Sequence, residues 1–194
     1  MKSDKVDFWV LVEEHQERVL NTCYRFVHRR EDAEDLTQEV FLEVYRSLDK
    51  FHGEAKFSTW IYRIAVTKSI DFLRKQKRKK RFIEAKRVFG LKNEPLPDLP
   101  ADEKSRPDEI LQELERQEIL RKAVDSLPEN QRTAIILNKY EGFKQKEIAL
   151  IMDSTVPAVE SLVHRGIKNL SSCLNDTYGK KLTNSILVFW GDGV

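Results

Sequence analysis

Three groups of polar and aromatic side chains recur at helical spacing along this chain of 194 residues, and all three suit binding better than catalysis. The first group consists mainly of carboxylates and amides. The second combines an aromatic ring with guanidinium groups, and the third consists mainly of basic side chains. The sequence has no phosphate-binding glycine loop, no catalytic triad and no cluster with metal-ligand spacing. It therefore predicts a binding protein that is not an enzyme and that needs no metal or cofactor.

The first group lies on one face of a helix predicted over residues 33–48. Its members are three, four or seven residues apart, which places them on one side of the helix: Asp35, Gln38, Glu39 and Leu42. Such a face is either solvated surface, which the pattern alone favours, or a docking face for a partner helix with the leucine as its apolar anchor. The opposite side, which includes Leu36, is apolar and predicts core packing.

The second group lies on a helix predicted over residues 60–79, again at spacings of three and four: Trp60, Arg63, Thr67, Asp71 and Arg74. Aromatic rings stack on unpaired bases and guanidinium groups neutralise phosphates, so this face could bind nucleic acid. The alternative to nucleic-acid binding is a structural role, in which a half-buried tryptophan packs beside arginines whose charged ends reach solvent. The helix runs into residues 74–81, where seven of eight side chains are basic and either bind a polyanion or stay solvated.

The third group belongs to a helix, tight turn and helix predicted over residues 142–170. Ser154 or Thr155 can cap the second helix, and Pro157 falls in its first turn, where a missing N–H is harmless. One side of this helix is apolar, while the other carries Ser161, His164, Arg165 and Lys168. That combination is typical of a DNA-binding helix-turn-helix, although an ordinary helical hairpin with a solvated face fits this stretch about as well.

The elements that carry these groups are predicted to be helices, arranged in two small domains. Glycine is scarce, and the 34% charged and 40% hydrophobic residues indicate a globular, all-α protein. Four of the six prolines fall within residues 93–107, which predicts a flexible linker. The net charge is only +2, but the chain turns from basic to acidic across this linker. The acidic segment either neutralises the basic block at 74–81 or imitates a nucleic-acid backbone, and the sequence favours neither.

Capping signals predict where the helices begin, after a first helix over residues 4–27. The expected caps or first residues are Asp32 for the second helix, Ser58 or Thr59 for the third, Pro107 or Asp108 for the fourth, and Pro128 for the fifth. The two distant cysteines, Cys23 and Cys173, predict buried thiols in a reducing cytoplasm.

Three segments, in this order along the chain, resemble the sigma factors of bacterial RNA polymerase, in the small extracytoplasmic-function (ECF) group. They are Ala33–Phe51, Phe57–Lys75 and Leu127–Leu170. The resemblance implies that the first segment binds core polymerase, the second melts and reads the promoter −10 element, and the third reads the −35 element. It covers about residues 8–178.

The resemblance also implies a division of the chain. Residues 1–92 form a region-2-like domain, residues 93–107 the linker, and residues 108–178 a region-4-like domain with the helix-turn-helix. The tail at 179–194 lies outside the family pattern, and one hypothesis is that Leu187, Phe189 and Trp190 pack back onto a domain face.

Site residues follow from the same resemblance. The implied polymerase contacts are Asp35, Leu36, Gln38, Glu39 and Leu42. The implied −10 contacts are Lys56, Ser58, Thr59, Trp60, Arg63, Thr67, Lys68 and Arg74. The implied −35 contacts are Thr155, Ala158, Glu160, Ser161, His164, Arg165 and Lys168. The implied partners are core RNA polymerase, promoter DNA and an anti-sigma factor, which would cover the polymerase-docking face. The implied location is the bacterial cytoplasm.

The chain departs from the family pattern in three places, and we expect these differences to change promoter preference. Val66-Thr67 stands where Arg-Asn is common, and Glu160-Ser161-Leu162 stands where Lys-Ser-Arg is common. Asp153 replaces a common glycine at the turn, a position that often needs a positive φ.

Two other functions are compatible with parts of the sequence. A stand-alone helix-turn-helix regulator would bind duplex operator without polymerase, but it gives no reason for the Trp60 face or the acidic face. A helical adaptor would bind only protein, and its basic block would merely be solvated.

Overall fold

The computed structural model describes residues 8–51, 56–88 and 108–191, and within these ranges the chain forms helices and no strand. The first module, residues 8–88, contains α1 (Phe8–Val27), α2 (Arg30–Ser47), a short 3₁₀ turn (Leu48–Lys50) and α3 (Phe57–Val88). The second module, residues 108–191, contains α4 (Asp108–Asp125), α5 (Glu129–Ile135) with a π-helical turn (Ile136–Tyr140), α6 (Gln145–Ile151) and α7 (Val156–Gly191). The all-α fold predicted from the sequence is confirmed.

Helical spacing of apolar residues builds the core of the first module. The helices α1, α2 and α3 pack on one another through side chains that are fully buried: Val19, Cys23, Val40, Val44 and Ile61. These positions recur every three or four residues, so each helix turns a continuous apolar stripe inward. The acidic face of α2 and the basic face of α3 are thereby left outward.

A glycine lets the helix-turn-helix pack closely on the rest of the second module. Gly166 lies on α7 where that helix meets α5, and a Cβ at this position would come within 2.8 Å of Ile135 Cγ1. Since Ile135 is fully buried, its side chain has little room to move. Around this contact, α5, α6 and α7 share one apolar core.

Helix starts are confirmed in the second module. Pro128 precedes α5, and the Thr155 side-chain oxygen accepts a hydrogen bond from the Ala158 N–H at 3.4 Å. The fourth helix begins at Asp108, as expected. Gly142, with φ 69°, follows the π-helical turn and ends that segment.

The capping predictions for the first module are wrong by about one turn. The second helix begins at Arg30, so Asp32 lies in its first turn, where the helix dipole favours a carboxylate. The third helix begins at Phe57, with the Trp60 N–H bonded to the Lys56 carbonyl at 3.2 Å, so Ser58 and Thr59 lie inside the helix.

Two helices are longer than the sequence predicts. The basic block at 74–81 is entirely helical, because α3 continues to Val88. The last helix continues past Leu170 to Gly191, interrupted at Gly179, where φ is 77°. The linker at 93–107 and the side chains of Leu187, Phe189 and Trp190 lie outside what the structure describes, so the proposals about them stay predictions.

The two modules pack against each other through a buried interface. Tyr62 of α3 meets Phe143 of the second module edge-on, with ring centroids 4.7 Å apart. Beside them, Arg132 Nη2 donates a hydrogen bond of 2.6 Å to the carbonyl of Phe26, at the end of α1. We call this contact between the modules the module interface.

Candidate polymerase-docking and nucleic-acid surfaces

The acidic face of α2 is exposed, as its spacing predicts. Asp35, Gln38 and Glu39 lie on the surface, and Leu42 is 53% exposed. Leu36 is only 3% exposed and packs in the core of the first module. Its side chain therefore holds α2 in place, and direct contact with a partner falls to its exposed neighbours.

A groove of about 320 Å³ runs between this face and α3. Asp35 and Glu39 line it from α2, while Lys75 and Lys79 line it from α3. A partner surface that enters the groove meets carboxylates on one helix and ammonium groups on the other.

An aromatic group beside the acidic face of α2 was not predicted. Tyr45 is 66% exposed and packs edge-on against Phe8, with ring centroids 5.2 Å apart. Phe8 in turn packs edge-on against Trp9, at 5.5 Å. The interval of three residues from Leu42 to Tyr45 is the signal in the sequence that could have identified this extension of the exposed apolar surface.

The expected −10 cations lie on α3 or, in the case of Lys56, directly before it, and three of the four are paired with carboxylates of the second module. The pairs are Lys56 with Glu147 at 3.3 Å, Arg63 with Asp153 at 3.0 Å, and Arg74 with Glu129 at 2.7 Å. Lys68 instead lies 3.7 Å from Glu43 of α2. The structure therefore brings three of the four predicted cations to one surface, and it places the second module against that surface.

Trp60 is half-buried at the start of this face. Its ring packs against Phe51 and Phe57, with centroids 5.2 Å and 5.3 Å away. Trp60 therefore stays partly accessible, and Arg63, three residues further along α3, is exposed. Of its predicted neighbours, Thr59 is buried and therefore packs inside the first module, while Ser58 is half-buried.

Val66 faces the second module. It is 3% exposed and belongs to the same apolar cluster as Phe143, so its aliphatic side chain serves packing between the modules. Thr67, which follows it, is exposed, and its hydroxyl donates a hydrogen bond of 2.8 Å to the Arg63 carbonyl. The departure from the family pattern at Val66 thus has a structural reason that the sequence did not reveal.

The predicted −35 face of α7 is contiguous and exposed. Its exposed members are Thr155, Glu160, Ser161, His164, Arg165 and Lys168, with Ala158 half-buried among them. The turn before it has Asp153 at φ 51°, and the Ser154 N–H closes it on the Ala149 carbonyl at 2.9 Å. The positive φ expected at Asp153 is confirmed.

Buried charges accompany the module interface. Burial raises the pKa of Glu141, whose side chain is 7% exposed and lies 3.5 Å from Arg25 Nε. Burial lowers the pKa of Arg132, which lies 3.0 Å from Asp125. Each buried charge therefore has an opposite charge beside it, which limits the cost of removing it from water.

Among the residues that the structure describes, no group of His, Cys, Asp or Glu side chains is arranged to hold a metal ion. Across the described helices, none is both long and apolar enough to cross a membrane.

Two family models match the chain, and each falls on one module. Residues 11–79 match the model of sigma-70 region 2, and residues 117–170 match the model of sigma-70 region 4. The exposed α2 face and the α3 face lie in the first match, and the helix-turn-helix lies in the second.

Comparison with curated relatives identifies the group of sigma factors to which the chain is similar. The chain is 35% identical to the ECF RNA polymerase sigma-E factor of Escherichia coli (strain K12) over 164 residues, which cover 84% of each chain. It is 30% identical to the RNA polymerase sigma-H factor of Pseudomonas aeruginosa over 185 residues, which cover 89% of each chain. The chain therefore belongs to the ECF group of RNA polymerase sigma factors, the proteins that direct promoter-specific transcription initiation.

Two solved structures share the fold. The sigma factor RpoE in complex with the anti-sigma factor NepR from Bartonella quintana is 22% identical, with a TM-score of 0.61 over 87% of this chain and 97% of that chain. CnrH in complex with the cytosolic domain of CnrY is 24% identical, with a TM-score of 0.61 over 88% of each chain.

Proposed function

We propose that this chain binds core RNA polymerase, places it at promoters with −35 and −10 elements, and helps to open the duplex without a catalytic step of its own. The observation that carries the proposal is the placement of three separate polar surfaces on the residues that match sigma regions 2 and 4. Sigma factor function calls for one surface toward polymerase and two toward DNA.

The α2 face is the polymerase-docking surface in this proposal. Asp35, Gln38 and Glu39 supply charge and hydrogen bonds around Leu42, whose exposed side chain is the apolar anchor. The neighbouring Tyr45 enlarges the apolar part of the contact.

The α3 face meets the −10 element. Melting exposes base faces and phosphates, and the half-buried Trp60 with Arg63 offers a ring and a guanidinium group to capture them. The free energy of opening comes from this capture together with polymerase contacts. The exposed cations of residues 74–81 add salt-dependent attraction to the backbone.

The α7 face reads the −35 element from the major groove. Its N-terminal part, with Ser161 and Glu160, is directed to base edges, where a carboxylate can accept from a cytosine amino group. Arg165 and Lys168 are directed to phosphates.

We further propose the domain limits 1–92, 93–107 and 108–178, with action in the bacterial cytoplasm, where core polymerase works. One structural neighbour is a complex with an anti-sigma factor, which supports an anti-sigma factor as a third partner. Such a factor would restrict access to the docking face.

The test of the docking surface is assembly with bacterial core polymerase, followed by size-exclusion chromatography. The Asp35→Lys plus Gln38→Ala variant is expected to lose co-elution, because it reverses a charge and removes an amide at the docking surface. Glu17→Lys, at an exposed position of α1, is the matched control and should co-elute like the wild type. Co-elution of the docking variant at wild-type level would refute the assignment.

A further inference from the structure

We propose that Lys75 and Lys79 of α3 belong to the polymerase-docking surface and bind an acidic side chain of core polymerase, although they lie in the basic block at 74–81. The inference rests on the proposed function of the α2 face and extends that site onto a second helix. It assigns two of the seven basic side chains of this block to a protein partner and leaves the others to promoter phosphates.

The first observation is that two rows of opposite charge line the groove between α2 and α3. Asp35 and Glu39 line it from α2, and Lys75 and Lys79 line it from α3. The two carboxylates are also members of the docking surface, so the groove is continuous with that surface. A phosphate that entered the groove would meet both carboxylates, whereas a protein partner can present a cation to one row and an anion to the other.

The second observation is that, among the residues that the structure describes, these four charged side chains form no ion pair. Two other cations of α3 do: Lys68 lies 3.7 Å from Glu43, and Arg74 lies 2.7 Å from Glu129. Each row of the groove also places like charges four residues apart on one helix, where they repel each other modestly. Opposite charges supplied by a partner would offset this repulsion in both rows.

The third observation is that the basic side chains divide between two sides of α3. The contact between Lys68 and Glu43 places Lys68 on the side that faces α2. Lys75 and Lys79 follow it at intervals of seven and four, which keeps them on that side. The arginines of the block share another side, at intervals of four and three: Arg74, Arg78 and Arg81. One helix can therefore present lysines to polymerase and arginines to the DNA backbone.

The floor of the groove is apolar and is fixed by the core. Leu36 of α2 is 3% exposed and Phe72 of α3 is half-buried, and both pack in the core of the first module. Core packing thus sets the separation of the two charged rows before a partner binds, which lowers the cost of ordering them. The space of about 320 Å³ admits side chains of a partner, while a helix about 10 Å across would lie over the groove.

The test is the affinity of the full chain for bacterial core polymerase, measured by fluorescence anisotropy with a dye on the N-terminal amine. The variant Lys75→Ala plus Lys79→Ala should bind about tenfold more weakly than the wild type, because two exposed charge contacts are lost. The difference should shrink as salt is raised, since exposed charges are screened. The control Lys122→Ala plus Lys146→Ala makes the same change in net charge at exposed sites of the second module and should bind like the wild type.

A second pair of substitutions, Arg78→Ala plus Arg81→Ala, distinguishes contacts with polymerase from contacts with DNA. In run-off transcription with saturating chain, the lysine variant should reach the wild-type yield, because excess chain compensates for weak binding to core. The arginine variant should bind core like the wild type but give fewer transcripts at saturation, because it has lost contacts with phosphates.

An affinity of the lysine variant within twofold of the Lys122 and Lys146 control would overturn the inference. Wild-type core affinity with a reduced yield at saturation would also overturn it, since the two lysines would then be DNA contacts. The docking variant Asp35→Lys plus Gln38→Ala tests the proposed function separately. If that variant loses core binding and the lysine variant does not, the inference fails alone; if the docking variant binds core like the wild type, the proposed docking surface fails.

Discussion

Replacing Gly166 by alanine should destabilise the second module by about 1 kcal/mol. The added methyl would lie 2.8 Å from Ile135 Cγ1 and 3.2 Å from Cδ1, both in a fully buried side chain. Overpacking of this kind costs about 1–3 kcal/mol. Against it stands the better helix propensity of alanine, about 1 kcal/mol. The net loss corresponds to a fall of about 2–4 °C in melting temperature for a chain of this size.

Circular dichroism at 222 nm during thermal and urea unfolding measures the effect. The matched background is Ile135→Ala, which costs about 2–5 kcal/mol by itself but removes both contacting atoms. In that background Gly166→Ala should be neutral or stabilising, since only the propensity gain is left. The reasoning would be refuted if Gly166→Ala stabilised the wild type, or if its cost were the same in both backgrounds.

Three further predictions follow from burial. Because burial raises the pKa of the Cys23 thiol, iodoacetamide at pH 8 should alkylate Cys23 much more slowly than the half-buried Cys173; equal rates by mass spectrometry would contradict this. Burial raises the pKa of Glu141, so its contribution to stability is complete below the ordinary glutamate pKa and is lost as pH rises through the folded value. The melting temperature of Glu141→Gln relative to wild type should therefore increase between pH 4.5 and 7, and a constant difference would count against the assignment. Leu36→Ala should cost about 2–5 kcal/mol in urea unfolding, whereas Leu42→Ala should leave stability nearly unchanged and weaken polymerase binding; similar stability losses would be inconsistent with their burial.

Helical periodicity predicted most of the buried residues in the cores of the two modules. In α7 the apolar positions and the exposed polar face both lie where three-and-four spacing placed them, because one side of an amphipathic helix must be buried. The turn of the helix-turn-helix was equally predictable, since Thr155 and Pro157 are strong signals for a helix start.

Helix starts in the first module were not predictable from capping signals. Arg29 and Lys56 precede α2 and α3, and neither is a favoured capping residue. Asp32 lies in the first turn of α2, where the helix dipole favours a carboxylate, and Thr59 is buried within α3. Local preference is a weak guide where tertiary contacts compete with it.

The module interface could not be predicted either. Periodicity shows that Tyr62 and Val66 are apolar positions on α3, but it does not identify what covers them. Their partner Phe143 is about eighty residues further along the chain, beyond the linker. Consequently the sequence predicts Arg63 and Arg74 on one face of α3, while their pairing with the second module is visible only in three dimensions.

The most direct test of the central claim is run-off transcription from sheared DNA of the source genome, with purified chain and bacterial core polymerase, followed by sequencing of the 5′ ends. We predict discrete start sites that share upstream −35 and −10 elements. They should vanish with Asp35→Lys plus Gln38→Ala and persist with Glu17→Lys. An absence of start sites with the wild-type chain, while it still shifts duplex DNA alone, would contradict the account.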